Sequence, residues 1–243
     1  MQPGLLSNVS VDCVVFGFDL TDLNVILIER NFTKDDIVYT DLKLPGDLIR
    51  SNEDPHDAAR RILKEKTGLS HIQMKQFMSF GSPDRLKRKE RDLEWLRQID
   101  YPEENIISIA YYSLINLSDP KSTKFLLNNT VKCCPIQEVN DLVMDHMDIL
   151  KSAIENLRIE LLNQPVAFEL LPAKFTLSQM QKLYEVILGK TFDKRNFRKK
   201  FANMKYLLPL NEKQVGVAHS PARLFVFSRK AYTETQDNNN ENP

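Results

Sequence analysis

No window of the 243-residue chain reaches the apolar length of a membrane helix, and the N-terminal MQPGLLSNVSVD lacks the basic start and long apolar run of a secretory signal. A soluble, cytoplasmic protein is the expectation. Cysteine is scarce and odd in number: Cys13, Cys133 and Cys134 show no metal-ligand spacing, and the adjacent pair lies in an apolar setting. The thiols therefore read as reduced and structural rather than as a disulfide framework. Internal repeats are missing as well. Net charge is also absent, with 33 Lys and Arg against 33 Asp and Glu. That balance conceals a division. Residues 172–232 hold 13 basic and 3 acidic residues, which leaves 20 basic and 30 acidic for the remainder. Two modules of opposite charge are implied, the basic one suited to a polyanion.

What is present is ordinary globular material, 42% hydrophobic and 27% charged, in a chain long enough for one large domain or two modest ones. Val9 to Phe18 and Leu23 to Glu29 are β-branched and aromatic runs joined by a short polar turn, the pattern of a hairpin. A short strand in DLKLPG follows. Asp54-Pro55 then supplies an N-cap and first helical position and Gly68 a terminator, predicting a helix over about 55–67. Further strands are expected at 71–80, 105–117 and about 130–134, with a long amphipathic helix at about 141–163. The charged insertion from Asp84 to Asn105 reads as a solvated excursion, a lid or dimer contact around Trp95 and Leu96 being the alternative. NQPVAFELLP reads as a linker and the final TETQDNNNENP as disordered. The expected division is residues 1–162, 163–232 and a tail at 233–243.

Within PGDLIRSNEDPHDAARRILKEKTGL, residues Gly46, Glu53, Arg61, Glu65 and Gly68 stand in the order of the Nudix box. That pattern is Gly, five residues, Glu, seven residues, then Arg-Glu-aliphatic-any-Glu-Glu-any-Gly-aliphatic. The resemblance extends over roughly residues 9–160 and implies a Nudix-like α/β/α sandwich with a mixed sheet. It departs where the chemistry is carried. Six residues separate Gly46 from Glu53, Asp47 replaces a usual second glycine, and Ile62 and Lys66 stand at expected Glu positions. Positions i, i+3 and i+4 share a helix face, so glutamates at 62, 65 and 66 would converge to hold Mg²⁺ against a diphosphate. Lys66 repels a metal and Ile62 offers no lone pair. Glu53 and Glu65 are then vestigial, no metal or cofactor is expected, and the domain reads as a pocket without catalysis. Arg30, Arg50, Asp84 and Arg85 are the candidate contacts for a phosphorylated or sugar ligand. His146, with no second His or Cys near it, reads as a helix-start or packing residue.

Farther on, Thr176-Leu-Ser-Gln179 fits a capping box, and Leu177, Met180, Leu183, Tyr184 and Ile187 form an apolar stripe ending before Gly189. Asp193 caps a second helix whose apolar face is Phe197, Phe201 and Met204. Its other face carries Lys194, Arg195, Asn196, Arg198, Lys199 and Lys200. Basic residues in the first turns of a second helix are what helix-turn-helix readers place in the major groove. Arg195, Asn196 and Arg198 are expected at base edges and the lysines at phosphates. Strands around 214–217 and 224–227 would form a wing, with His219 and Arg223 at its tip or base.

FELLPAKFTLSQMQKLYEVILGK followed by DKRNFRKK resembles the C-terminal domain of Nudix-related transcriptional regulators. The resemblance implies a homodimer that binds a palindromic DNA operator, represses or activates, and responds to a small molecule such as ADP-ribose or a pentose sugar. The rival expectations are a Nudix hydrolase of a nucleoside diphosphate derivative with an accessory nucleic-acid-binding domain, and an RNA-binding regulator.

Overall fold

A computed structural model describes residues 5–86, 89–98, 105–119, 123–124, 128–216 and 220–240. The alternation of β1 (Leu5–Phe18) builds the first domain. Val11, Cys13 and Val15 enter one apolar cluster and Val14, Phe16 and Phe18 another, on opposite faces. Because both faces are covered, the second half of the strand, from Cys13 to Phe18, has no polar side chain. β1 pairs in parallel with β6 (Ile107–Asn116) and antiparallel with β2 (Leu23–Lys34). The sheet runs β3-β2-β1-β6-β5, where β3 is Ile37–Lys43 and β5 is Lys75–Phe80. β4 (Gly46–Arg50) adds to β1 and β7 (Val131–Pro135) to β2.

Helix α1 (Pro55–Thr67) covers the Val11 face, and α3 (His146–Asn163) covers the other. The ends of α1 are written in the sequence. The Asp54 carboxylate accepts the Asp57 N–H at 2.8 Å, Pro55 occupies the first turn, and Gly68 closes the helix at φ 78°, a left-handed conformation that glycine adopts without strain. The result is the expected α/β/α sandwich with a mixed sheet.

The second domain contains α4 (Ala167–Leu170), α5 (Leu177–Leu188), α6 (Lys194–Ala202), the hairpin β8 (Leu207–Lys213) and β9 (Arg223–Phe227), and α7 (Arg229–Asn240). Phe175 and Phe225 exchange backbone hydrogen bonds of 3.0 and 2.8 Å, which lays a third short segment along the hairpin. Two helices followed by a hairpin make a winged helix.

Five sequence expectations are corrected. NQPVAFELLP is no free linker: α4 lies inside it, Ala167 and Leu170 are buried, and Phe168 stacks on Phe227 at 4.2 Å. The C-terminal segment, read as disordered from its Asn content, is helical to Asn240, because Ser228 Oγ accepts the Ala231 N–H and the Tyr232 ring packs against Tyr206 and Phe227. Of the insertion, residues 84–86, 89–98 and 105 are described, and that part is not a solvated excursion. Its helix α2 (Glu90–Gln98) buries Asp92 and Leu96, so apolar and ionic anchors outweigh its surface charge. The first wing strand lies at Leu207–Lys213 rather than 214–217, drawn earlier by burial of Leu207 in the core. The long helix starts at His146 rather than near 141. Among the described residues no helix is long and apolar enough to cross a membrane.

Candidate functional site

A cavity of about 320 Å³ opens where β3, β4, the end of α1 and the start of α3 converge. Asp12 lies at its base, nearly unexposed, on the β1 face that meets α3. It accepts hydrogen bonds from Ser108 and from Arg85, the latter at 3.4 Å, and lies 3.6 Å from His146 Nε2. Burial pushes its carboxyl upward, yet the facing His146, Arg85, Ser108 and Lys43 together hold it below the ordinary value. Arg85 is clamped further by Asp145, with contacts of 2.8 and 3.0 Å. Gly46 passes so close that a Cβ there would sit 1.9 Å from Asp12 Oδ1. A backbone approach of this kind admits only glycine.

His146 accepts the Leu44 N–H on Nδ1 at 2.9 Å, which leaves the proton of a neutral ring on Nε2, facing Asp12. Burial depresses its pKa more than Asp12 raises it. The helix-start expectation holds for His146, but the ring also borders the cavity. Lys43 and Trp95 border it too. The Lys43 ammonium donates to the Gly46 carbonyl at 3.2 Å and sits 5.7 Å from the Trp95 ring centre.

The four predicted ligand contacts separate. Arg85 borders the cavity. Arg30 does not: it is buried behind Trp95, 4.6 Å from the ring centre, where it pairs with Asp92 and Asp41. Arg50 reaches Glu65 on the outer face of α1, and Asp84 is exposed on the loop after β5. Lys43 and Asp12 were missed by sequence reasoning, whereas Trp95 had been named only as the centre of a lid or dimer contact. A lysine just before the apolar Leu44-Pro45 was the available signal for the first.

On α1 the surviving box residues serve geometry. Arg61 binds Glu53 through three hydrogen bonds of 2.6 to 3.1 Å, reaches the Leu48 carbonyl at 3.0 Å, and meets Glu65 at 3.2 Å. Lys66 pairs with Asp47 at 3.0 Å. Ile62 is fully buried in the cluster beneath α1, whereas Glu65 and Lys66 are part-exposed, so the three positions do not converge on one open point as the helical spacing predicts. These residues do not fit the divalent cation of the Nudix pattern: one position is an aliphatic in the core, one is a cation, and Glu53 and Glu65 are taken by arginines. Among the described residues no group of three His, Cys, Asp or Glu is placed to hold a metal.

In the second domain α6 buries Phe197 and Phe201 against Tyr184, while Lys194, Arg195, Asn196, Arg198, Lys199 and Lys200 are all exposed. Asp193 caps it through the Asn196 N–H at 2.8 Å, and the Thr176–Gln179 capping box of α5 forms as expected. Arg198 turns toward α5, donating to Ser178 Oγ at 3.3 Å, and with Lys182 and Lys194 it borders a groove closed by the wing. Arg223 is exposed at the start of β9, its Nε donating to the Leu210 carbonyl at 2.9 Å. His219 lies outside the described residues.

A Nudix sandwich joined to a winged helix defines a two-domain class, and the chain matches both parts. Residues 6–139 match the NUDIX domain, and residues 167–227 match the NrtR DNA-binding winged helix domain. The chain belongs to the NUDIX domain family and carries an NrtR-type winged helix. It is 25% identical over 233 residues to a protein of Acinetobacter baylyi named ADPR responsive transcriptional repressor NtrR, with 92% of this chain and 83% of that one covered. Among solved structures it shares the fold of Shewanella oneidensis NrtR complexed with a 27mer DNA, at TM-score 0.68 and 22% identity, covering 93% and 95% of the two chains. It also shares that of a MutT/nudix family protein from Enterococcus faecalis, at TM-score 0.62 and 20% identity, covering 91% and 88%.

Proposed function

We propose that this protein is a transcriptional regulator in which the Nudix domain senses a small metabolite without hydrolysing it and the winged helix binds an operator. The observation that carries this reading is the split of α6 into a buried Phe197/Phe201 edge and an exposed face of five cations and Asn196. Lysines on that face meet phosphates, while Arg195 and Asn196 reach base edges. The winged helix offers one reading head per chain, so a palindromic operator is read by a homodimer. The Acinetobacter relative, named as an ADPR-responsive repressor, makes ADP-ribose the first effector to try and repression the expected direction. In a bacterium such a protein works in the cytoplasm.

Selection of duplexes from a random pool, followed by fluorescence anisotropy on the selected and a scrambled sequence, tests the reading. A preference for the selected duplex that weakens steeply with salt and responds to ADP-ribose supports it. Turnover of ADP-ribose at enzyme-like rates would overturn the sensor half, and tighter binding to structured RNA than to duplex DNA would overturn the operator half.

A further inference from the structure

Two departures from the Nudix box meet in a single contact. Asp47 stands where the pattern has glycine, Lys66 where it has a metal-binding glutamate, and their side chains pair at 3.0 Å, about one-third exposed. A pair of that kind adds little stability and exchanges partners readily. Both residues border the same cavity as Lys43. Lys43 spends one ammonium hydrogen on the Gly46 carbonyl, and among the described residues no carboxylate lies within ion-pair distance of it. An ammonium carries three N–H donors, so capacity remains for a guest. Burial depresses the Lys43 pKa, and the nearby charge of Lys66 adds to the effect, although Asp12 opposes it. An anion in the cavity would relieve that cost.

We propose that Lys43 and Lys66 form a metal-free seat for a phosphate-bearing metabolite. Two ammonium groups take over the charge that a divalent cation supplies elsewhere in the fold, and the incoming phosphate displaces Asp47 from Lys66. The inference rests on the sensor reading and narrows it. A free pentose has no anion for such a seat, whereas a nucleoside diphosphate derivative does. A cavity of about 320 Å³ is at the small end of ligand sites; it suits the diphosphate portion of such a molecule, with the rest at the open mouth. Trp95 lies over the same space and is held by Arg30 on its ring.

Isothermal titration of the full chain with ADP-ribose, and with inorganic pyrophosphate, in EDTA and again in Mg²⁺, is the test. The expected affinity is the same in both buffers. Lys43→Met weakens it by about tenfold or more, as loss of a charge-assisted contact does, while Lys43→Arg stays near the wild type. Asp47→Asn tightens binding by releasing Lys66, an effect no merely structural role predicts. A requirement for Mg²⁺, unchanged affinity in Lys43→Met, weaker binding in Asp47→Asn, or arabinose binding in place of both phosphate probes would overturn the seat. If Lys43→Met fails to fold, the Asp47→Asn and Mg²⁺ arms decide. Operator binding by the wild type, measured separately, keeps the two readings apart. DNA binding without phosphate binding removes the seat alone, and metal-free ADP-ribose binding without DNA binding removes the regulator reading alone.

Discussion

At the scale of single residues, burial decides what the box positions do. Ile62 has no exposed surface and packs with Val11, Val15 and Leu63. Ile62→Glu would therefore place a carboxylate in an apolar cluster instead of rebuilding a metal site, and it should destabilise by roughly 3 kcal/mol or more, read as a lower denaturant midpoint. Sequence spacing alone suggested convergence of 62, 65 and 66, because helical periodicity assigns a face and says nothing of which side of it the sheet covers. His146 offers a second prediction. Its folded pKa lies below the ordinary histidine value of 6.5, so above pH 6.5 both folded and unfolded states are neutral and its full contribution is present. As pH falls below that value only the unfolded state takes the proton, and stability declines until the folded value is passed. Glu169, raised by burial, acts in the opposite sense, being lost as pH rises through its folded value. The difference between wild type and His146→Asn isolates the histidine: the variant should show a flatter fall in melting temperature between neutral and mildly acidic pH.

Among the elements, α6 was the most legible, since capping residue, apolar spacing and charge placement agree on one helix with one outward face. Its residues should nevertheless divide. Arg195→Ala should reduce discrimination between selected and scrambled duplexes by roughly 1–3 kcal/mol. Lys199→Ala should weaken both alike and lower the salt slope by about one unit. Arg198, expected from sequence to read bases, leans toward Ser178 at the start of α5. Arg198→Ala should therefore weaken binding to both duplexes by the same factor in anisotropy titrations, and a loss confined to the selected duplex would instead support the base-reading role. Helix α2 was the least legible element. Its charges look like solvent surface until Asp92 is seen to accept the Met144 N–H at 2.8 Å and to pair with Arg30 from β2, 62 residues away. Partners that distant leave no local pattern.

For the whole molecule, the division at 162 and 163 follows sequence motifs but not the packing. One apolar cluster runs without a break from Val14 and Phe16 through Leu157 and Leu161 of α3 to Met180, Phe201 and Phe225. Arg158 of α3 adds a hydrogen bond to the Ile187 carbonyl of α5 at 2.7 Å. Calorimetry should accordingly give one unfolding transition, and two well-separated peaks would show the halves melting apart. The linker was misread because Asn163, Pro165 and Pro172 are turn-forming residues; the apolar residues between them find their partners only in three dimensions.

The eighteen residues of α3 form a rod about 27 Å long. His146 touches the cavity at one end, and near the other Arg158 grips the module that carries α6. Anyone hoping to graft a foreign reading head onto this sensor at the apparent seam would sever the rod from its grip and expose oily surface on both pieces. A working hybrid would have to exchange α3 and the strand surfaces it lies on as a single block.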